Sequence, residues 1–522
     1  MNTKYIWMLL ICLGFVACND PEDYIDDPIV PDVVLPPLTA GSADFSNYVA
    51  LGGSLTSGLA DGALFIAGQQ NSFPNILADQ FSSAGGSSFS QPLVSDNTGG
   101  LLVGGFQVAG YRFIFNGEGP QRLNEFLQDL GAPVPPITTD AANNLGNIFN
   151  NVGIPQAKSF HTTVAGYGSL NPYFGRMATS AGDSMLGYAA AQNPSFFSIE
   201  IGGNDVLAYA LSGGEGVDQT GNFNPALYGA NDITDPNVFG QVFSGLVAQL
   251  TANGAKGAVT NVPNITDLPH FTTITFDYLD PADSDIGPLL IPQIPALNAQ
   301  LYGPLDNIFT AYGEPDRFNL LSTTNKNPIL IYDEDAIDRS AEITGALTPV
   351  LGAPTAAAFG AIFGKSRQTN ANDLILLSTS SVLAQTVAGP PAPVNVNGIS
   401  YPLADKWVLT PQEQTAIQNA TDAYNATIAS VASANGLAHV DLQSILSQAS
   451  TTGLPFDEYV VTTDLVTGGI VSLDGVHFTA RGYAFMANKF LEAIDTTYGS
   501  NFVASGNVTK AIDYNVTYSP GL

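Results

Sequence analysis

Four short apolar runs, each too short to be a helix of its own, limit what this chain can fold into. The run 48–51 ends in Gly52-Gly53, and the run 196–201 ends in Gly202-Gly203. Runs at 258–262 and 437–440 complete the set. Short, mostly apolar runs of this kind suit strands covered on both faces, as in a buried parallel sheet. Helical patterns lie between and beside these runs. Pro236 follows Asp235, and apolar residues then recur at Val238, Phe239, Val242, Phe243, Leu246, Val247 and Leu250. Gly254 stops that helix just before the run at 258. Thr410-Pro411-Gln412-Glu413 has the spacing of a capping box. The pattern continues through Ile417, Ala420, Tyr424, Ile428 and Val431 to Gly436. A last helix follows Thr479 and would bury Tyr483, Met486, Ala487, Phe490 and Ile494. Strands alternating with helices predict an α/β fold with a mostly parallel central sheet. Residues 263–409, rich in Pro, Ala, Gly and Asp, do not follow this rhythm and read as a large insertion.

Charge and cysteine usage exclude several functions. There are 15 Lys+Arg against 46 Asp+Glu, a formal net charge of −31, and no base between Lys4 and Arg112. Such a surface repels nucleic acid, whose binding depends on Lys and Arg contacts to phosphate. The only cysteines are Cys12 and Cys18, which leaves no internal disulfide, no Cys-ligated zinc and no cysteine nucleophile in a processed chain. Lys4 precedes an apolar run at 6–17, too short to span a bilayer, that reads as the h-region of a signal peptide. Phe15-Val16-Ala17-Cys18 resembles the lipobox of bacterial lipoproteins. That resemblance implies a signal peptide over 1–18, lipidation of Cys18 and a membrane anchor. Residues 19–45 combine five prolines with acids and no base, and read as a disordered tether. Asp20, Glu22 and Asp23 loosely resemble the acidic export signals of surface lipoproteins, which implies an extracytoplasmic chain at the outer membrane. The folded domain is then expected over 46–500, with 501–522 as a C-terminal extension.

Three short motifs carry chemistry. Ser54, in Gly52-Gly53-Ser54-Leu55, follows the first strand, and Asn204, in Ile201-Gly202-Gly203-Asn204-Asp205, follows the second. Ligands of open α/β sheets bind beyond the carboxyl ends of strands, so both residues can meet in one crevice. A serine hydroxyl needs a base to accept its proton. Of the four histidines, His477 has a carboxylate three positions earlier, in Asp474-Gly475-Val476-His477. Asp474 can orient the imidazole and stabilise the imidazolium. His439 reads as a satisfied core histidine, His161 as a possible substrate contact, and His270 as a loop residue without a paired acid. Acyl transfer also needs donors for the developing oxyanion. The candidates are the Ser54 N–H, the Asn204 side-chain amide and the Gly153 N–H. Singly, each motif is as well explained by a turn or a helix cap.

In order and context, the set resembles the GDSL/SGNH hydrolases, whose four blocks contribute Ser, Gly, Asn and His. The resemblance spans roughly residues 46–500. It implies a flavodoxin-like three-layer α/β/α sandwich with large insertions. By it, Ser54 is the nucleophile, Gly153 the second-block oxyanion glycine, Asn204 the third-block asparagine, and Asp474 with His477 the last-block pair. Gly53 stands where the family usually has aspartate, and Phe478 where proline is common. The activity implied is carboxylic ester hydrolysis through a Ser-His-Asp triad and an acyl-enzyme, acting on a small-molecule, lipid or carbohydrate ester. It requires no metal and no organic cofactor. Two alternatives stand beside it: a carbohydrate O-acetyl esterase, and a non-catalytic surface-binding lipoprotein that keeps the fold. The acid-rich segments 277–285 and 333–338 lack EF-hand order and read as solvated loops. The apolar segment 347–363, interrupted by Pro349 and Pro354, reads as a packing surface rather than an acyl pocket or lid.

Overall fold

The sheet at the centre of the molecule has five strands, all parallel. They are β1 (Tyr48–Gly52), β2 (Asn151–Gly153), β3 (Phe196–Glu200), β4 (Lys256–Thr260) and β5 (Ala438–Val440). Their order across the sheet is β5-β4-β3-β1-β2. The structure, a computed structural model, describes residues 34–390 and 394–522. The signal sequence, Cys18 and residues 19–33 of the tether lie outside the described residues. Every residue of β1 and β3 is buried, Ser198 and Glu200 included, as expected of strands covered on both faces. Register pairs Gly52 with Glu200 on one side and with Gly153 on the other, so all three strands end level.

Helices flank this sheet. Helix α1 (Ser54–Ser57) follows β1 directly, and α2 (Phe73–Ser82) comes next. Helix α3 (Asn204–Leu211) follows β3, and α4 (Pro236–Thr251) precedes β4. The Asp235 side chain accepts from the N–H groups of Asn237 and Val238 at 2.8 and 3.0 Å, which starts α4 where Pro236 was expected to begin it. In the insertion, α5 (Ser340–Leu351) and α6 (Ala353–Phe363) form a hairpin that turns at Gly352. Helix α7 (Pro411–Asn435) has the capping box read from sequence, and Gly436 ends it at φ +60°. Helix α8 (Ala480–Tyr498) is capped by the Thr479 hydroxyl. Helix α2 packs against α8, and α4 against α7. Among the described residues, no helix is long and apolar enough to cross a membrane.

The chain reverses direction across the sheet after β2. From β1 it moves outward to β2, then returns past β1 to β3 and continues through β4 and β5. The crevice between the carboxyl ends of β1 and β3 is therefore a topological switch point, where open α/β sheets bind ligands.

Three boundaries differ from the sequence reading. Residues 38–45, given to the tether by composition, pack into the domain: Phe45 is buried against Phe81 and Phe196, and the Ser42 N–H donates to the Tyr498 carbonyl at 2.8 Å. Residues 501–522 are equally part of the core, with Phe502 and Ala511 fully buried and Tyr518 edge-on to Phe65. These segments lack periodicity because single anchoring side chains, not a helix face, hold them. The insertion builds a second hydrophobic cluster from Ile274 to Val408, whereas Ile265, Leu268 and Phe271 belong to the main core.

Candidate active site

β1 ends at Gly52, Gly53 caps α1, and Ser54 is the first helical residue. No larger residue fits at Gly52: a Cβ there would lie 2.0 Å from Thr56 Oγ1 and 2.3 Å from the Glu200 carbonyl. Ser54 is thus raised on a sharp strand-to-helix turn at the carboxyl edge of the sheet.

His477 reaches it from the far end of the chain. His477 Nε2 lies 2.9 Å from Ser54 Oγ, and His477 Nδ1 lies 2.8 Å from Asp474 Oδ2. The spacing Asp-x-x-His explains itself locally. Asp474 Oδ1 accepts the backbone N–H groups of Val476 and His477, both at 2.8 Å, in a tight turn that Gly475 makes at φ +76°. Oδ2 remains for the imidazole and for the Gly62 N–H at 2.7 Å. Burial acts to raise the Asp474 carboxyl, but His477 and these N–H donors outweigh it and hold the group well below the usual carboxylate range. An ionised carboxylate only accepts, so Nδ1 carries the proton and Nε2 is left to accept from the serine hydroxyl.

Asn204 opens α3 beside this pair. Its Nδ2 donates to the Ala157 carbonyl at 3.1 Å, which fixes the amide and leaves its second hydrogen for another acceptor. The next residue anchors the same loop: the buried Asp205 accepts from the Ser159 N–H at 2.8 Å and from its hydroxyl at 2.6 Å. The Ser54 N–H, first in α1, has no intrahelical partner.

Gly153 is not an oxyanion donor. It is the last residue of β2, a strand that three residues without an apolar run did not reveal. Its N–H is taken by Asn151 Oδ1 at 2.9 Å, and a Cβ would lie 2.3 Å from the Ser57 nitrogen. Glycine is needed there for close packing beneath α1. The residue of this segment that does line the cleft with Ser54 and Asn204 is Gln156. It sits at φ +65°, and its N–H makes no hydrogen bond among the described residues.

Two acids that sequence reading missed support the site. Glu200 ends β3, and its Oε2 accepts from the Gly53 N–H at 3.3 Å, the Thr56 N–H at 3.2 Å and Thr56 Oγ1 at 3.0 Å. Burial raises this carboxyl to about 7 against those donors and His477. An acid closing an otherwise apolar strand was the visible signal. Asp61, also raised to about 7 chiefly by burial, accepts from the Leu473 N–H at 3.1 Å, while its own N–H donates to Ser472 Oγ at 3.0 Å. It braces the turn that carries Asp474.

The other histidines divide. His270 lines the cleft, with Nδ1 3.1 Å from the Asp474 carbonyl; burial, the largest influence on it, lowers its pKa. His161 is not brought to the cleft: the Lys158 N–H donates to its Nδ1 at 3.1 Å, and its ring stacks on Tyr167. His439 is half-buried in β5, but Nε2 has no partner, so it is not the satisfied histidine expected. The hairpin α5–α6 lines neither cavity beside Ser54.

Those two cavities differ greatly. One is an open cleft of about 630 Å³ with a polar wall that includes Gln121, Arg122, Glu125, Ser378 and Ser381. The other is a slot of about 40 Å³ walled by Leu207, Ile265, Leu268, Leu446 and Phe478, with Glu200 in its lining. Ser54, Asn204 and His477 border both. Comparison with protein-family models, with curated proteins and with solved structures returns no match.

Proposed function

We propose that this chain is a serine ester hydrolase of the SGNH/GDSL type. The observation that carries the reading is the continuous hydrogen-bonded line Ser54–His477–Asp474, at 2.9 and 2.8 Å, between segments more than 400 residues apart. A line of this kind couples hydroxyl, imidazole and carboxylate for proton transfer. The strand order, numbered along the chain as 2-1-3-4-5, is that of the flavodoxin-like sandwich and supports the same reading.

Ser54 Oγ attacks the ester carbonyl as His477 Nε2 takes its proton. The oxyanion so formed accepts from the Ser54 N–H, the free Asn204 amide hydrogen and the Gln156 N–H. Collapse breaks the ester C–O bond, and His477 returns its proton to the leaving alcohol. Water, deprotonated by His477, then attacks acyl-Ser54 and releases the carboxylic acid. Asp474 keeps the imidazole in the right tautomer throughout.

The cavities favour a short acyl group on a larger alcohol. A slot of about 40 Å³ with apolar walls suits an acetyl group, and the open cleft of about 630 Å³, lined by apolar side chains such as Phe113, Leu211 and Leu377 as well as polar ones, suits a bulkier partner. The size of the slot favours a short-acyl esterase, the carbohydrate O-acetyl esterase among them, over a long-chain lipase. Anchoring at the outer membrane through lipidated Cys18 remains part of the proposal; palmitate incorporation lost in Cys18→Ala tests it.

A fluorophosphonate probe followed by intact mass tests the chemistry. One label per folded chain, absent in Ser54→Ala, is expected. An unlabelled folded wild type would refute the reading and favour a binding protein. Turnover of p-nitrophenyl acetate and acetylated xylan, with little on long-chain esters, is expected for the short-acyl assignment.

A further inference from the structure

Away from the cleft, three carboxylates from separate segments converge. Glu334 follows a short strand of the insertion (Leu330–Tyr332), Asp405 opens the turn Asp405–Trp407, and Glu413 lies in the first turn of α7. One oxygen from each lies within 4.8 Å of the others. The segment 333–338 is a loop with Asp335 and Asp338 exposed, as its sequence suggested, but Asp333 is buried, and its carboxylate is held by Arg367 at 2.5 Å.

The oxygens themselves point to a ligand. Glu413 Oε1 is buried without a hydrogen-bond partner among the described residues, while Glu334 Oε2 and Asp405 Oδ1, also buried, have only each other to bond, through a shared proton. Glu413 is only 4 % exposed. Its other oxygen is already committed, accepting from the Thr410 N–H at 2.6 Å and Thr410 Oγ1 at 2.9 Å. Oε1 is therefore a buried acceptor facing two more acids. The backbone opposite leaves room for it, because a Cβ on Gly214 would lie 1.5 Å from Glu413 Oε1. The nearby cations are engaged elsewhere. Lys365 Nζ donates to the Glu334 carbonyl at 2.5 Å, Arg367 pairs with Asp333 and Asp373, and Lys406 Nζ lies over the Trp407 ring.

Three buried carboxylates without a counter-charge repel one another. Either shared protons or a bound cation relieves that repulsion. Oxygen-only donors with no His or Cys select a hard cation, and an irregular set of carboxylates suits Ca²⁺ better than octahedral Mg²⁺.

We propose that Glu334, Asp405 and Glu413 bind Ca²⁺ and thereby tie the insertion to α7. Gly213 and Gly214, at φ +62° and +81°, end α3 against the same place. The site thus meets the far end of the helix that begins at Asn204.

The test uses the chelator-stripped full chain. Isothermal titration calorimetry with CaCl₂ should show one site per chain, and saturating Ca²⁺ should raise Tm by at least ~2 °C. Mg²⁺ should do less. Asp405→Asn and, separately, Glu334→Gln should abolish the heat and the Tm shift while remaining folded by circular dichroism. The result that overturns the proposal is a folded wild type that takes up no Ca²⁺, with Asp405→Asn more stable than wild type. That outcome assigns the cluster to shared protons. Neither readout depends on esterase activity.

Discussion

Glu200 offers the sharpest test of how the nucleophile is held. Its carboxyl rises from 4.5 to about 7, because burial outweighs three hydrogen-bond donors. The folded pKa thus lies above the unfolded one, and folding takes up a proton between them. The resulting stability is fully present below about 4.5 and is lost as pH climbs through about 7. A difference of this size corresponds to roughly 3 kcal/mol. The groups facing it are His477 and Tyr483, besides the donors on Gly53 and Thr56. Glu200→Gln keeps the shape and one acceptor oxygen but cannot ionise. Urea unfolding of wild type and variant at about pH 5 and about pH 9 isolates the effect, since every other titration cancels in the difference. Wild type should lose roughly 3 kcal/mol more than the variant over that span. Glu200→Ala goes further and leaves the Thr56 N–H and hydroxyl without Glu200 Oε2 beneath α1, whereas the Gly53 N–H keeps its bond to the residue-200 backbone carbonyl at 3.0 Å. At about 1–3 kcal/mol for each of the two groups, a loss of roughly 2–6 kcal/mol is expected. A nucleophile displaced by about 1 Å should also cost about 10²-fold in kcat, with little change in KM. Identical pH dependence in wild type and Glu200→Gln, or wild-type kcat in Glu200→Ala, would sink this reasoning.

Three further outcomes follow from the same geometry. Asn204→Ala should lower kcat by about 10²–10³-fold with KM within a few-fold, measured on p-nitrophenyl acetate. Gly153→Ala should unfold several degrees lower by calorimetry, since its Cβ would lie 2.3 Å from the Ser57 nitrogen, yet folded molecules should still take up the fluorophosphonate; an unchanged Tm refutes the packing role. Gly53→Asp, which installs the residue usual in GDSL enzymes, should reduce rather than raise kcat, because its Cβ would lie 3.3 Å from Asn204 Nδ2 and 3.8 Å from Glu200 Oε2.

The frame of the fold was legible because it rests on periodicity. Four of the five strands and the helices α4, α7 and α8 lie where apolar runs and caps place them. β2 was hidden because a three-residue strand at the edge of the sheet needs no apolar run: register with β1 holds it, through the pairs Ala50–Asn151, Leu51–Val152 and Gly52–Gly153. At the site, Ser54, Asn204, Asp474 and His477 could be named because each sits in a turn whose geometry needs glycine nearby. Gly153 misled for the same reason, since a glycine demanded by close packing looks in sequence like one demanded by a ligand. Asp61 carried no signal at all, and Glu413 was visible only as a helix cap. The role of Asp61 comes from burial and from Leu473, 412 residues away, and that of Glu413 from its meeting with Glu334 and Asp405, which only folding supplies.

Gly53 and Glu200 are best understood as one arrangement. A strand-to-helix turn that raises a serine needs its first N–H groups satisfied from below. An aspartate at 53 would carry such an acceptor on the turn itself. Here the acceptor comes from the adjacent strand, and Glu200 Oε2 takes the N–H groups of Gly53 and Thr56 together. A second carboxylate at 53 would meet this buried one and the Asn204 amide at once, so glycine at 53 is what allows glutamate at 200. The consequence reaches the chemistry. Burial raises the carboxyl beneath Ser54 to about 7, and it borders the slot, so under the proposed hydrolysis its charge would alter the field around acyl-Ser54 near neutral pH. A neutral Glu200 leaves the oxyanion donors unopposed, whereas an ionised one places negative charge beside the developing oxyanion. Activity limited by Glu200 ionisation should therefore fall as pH rises through about 7.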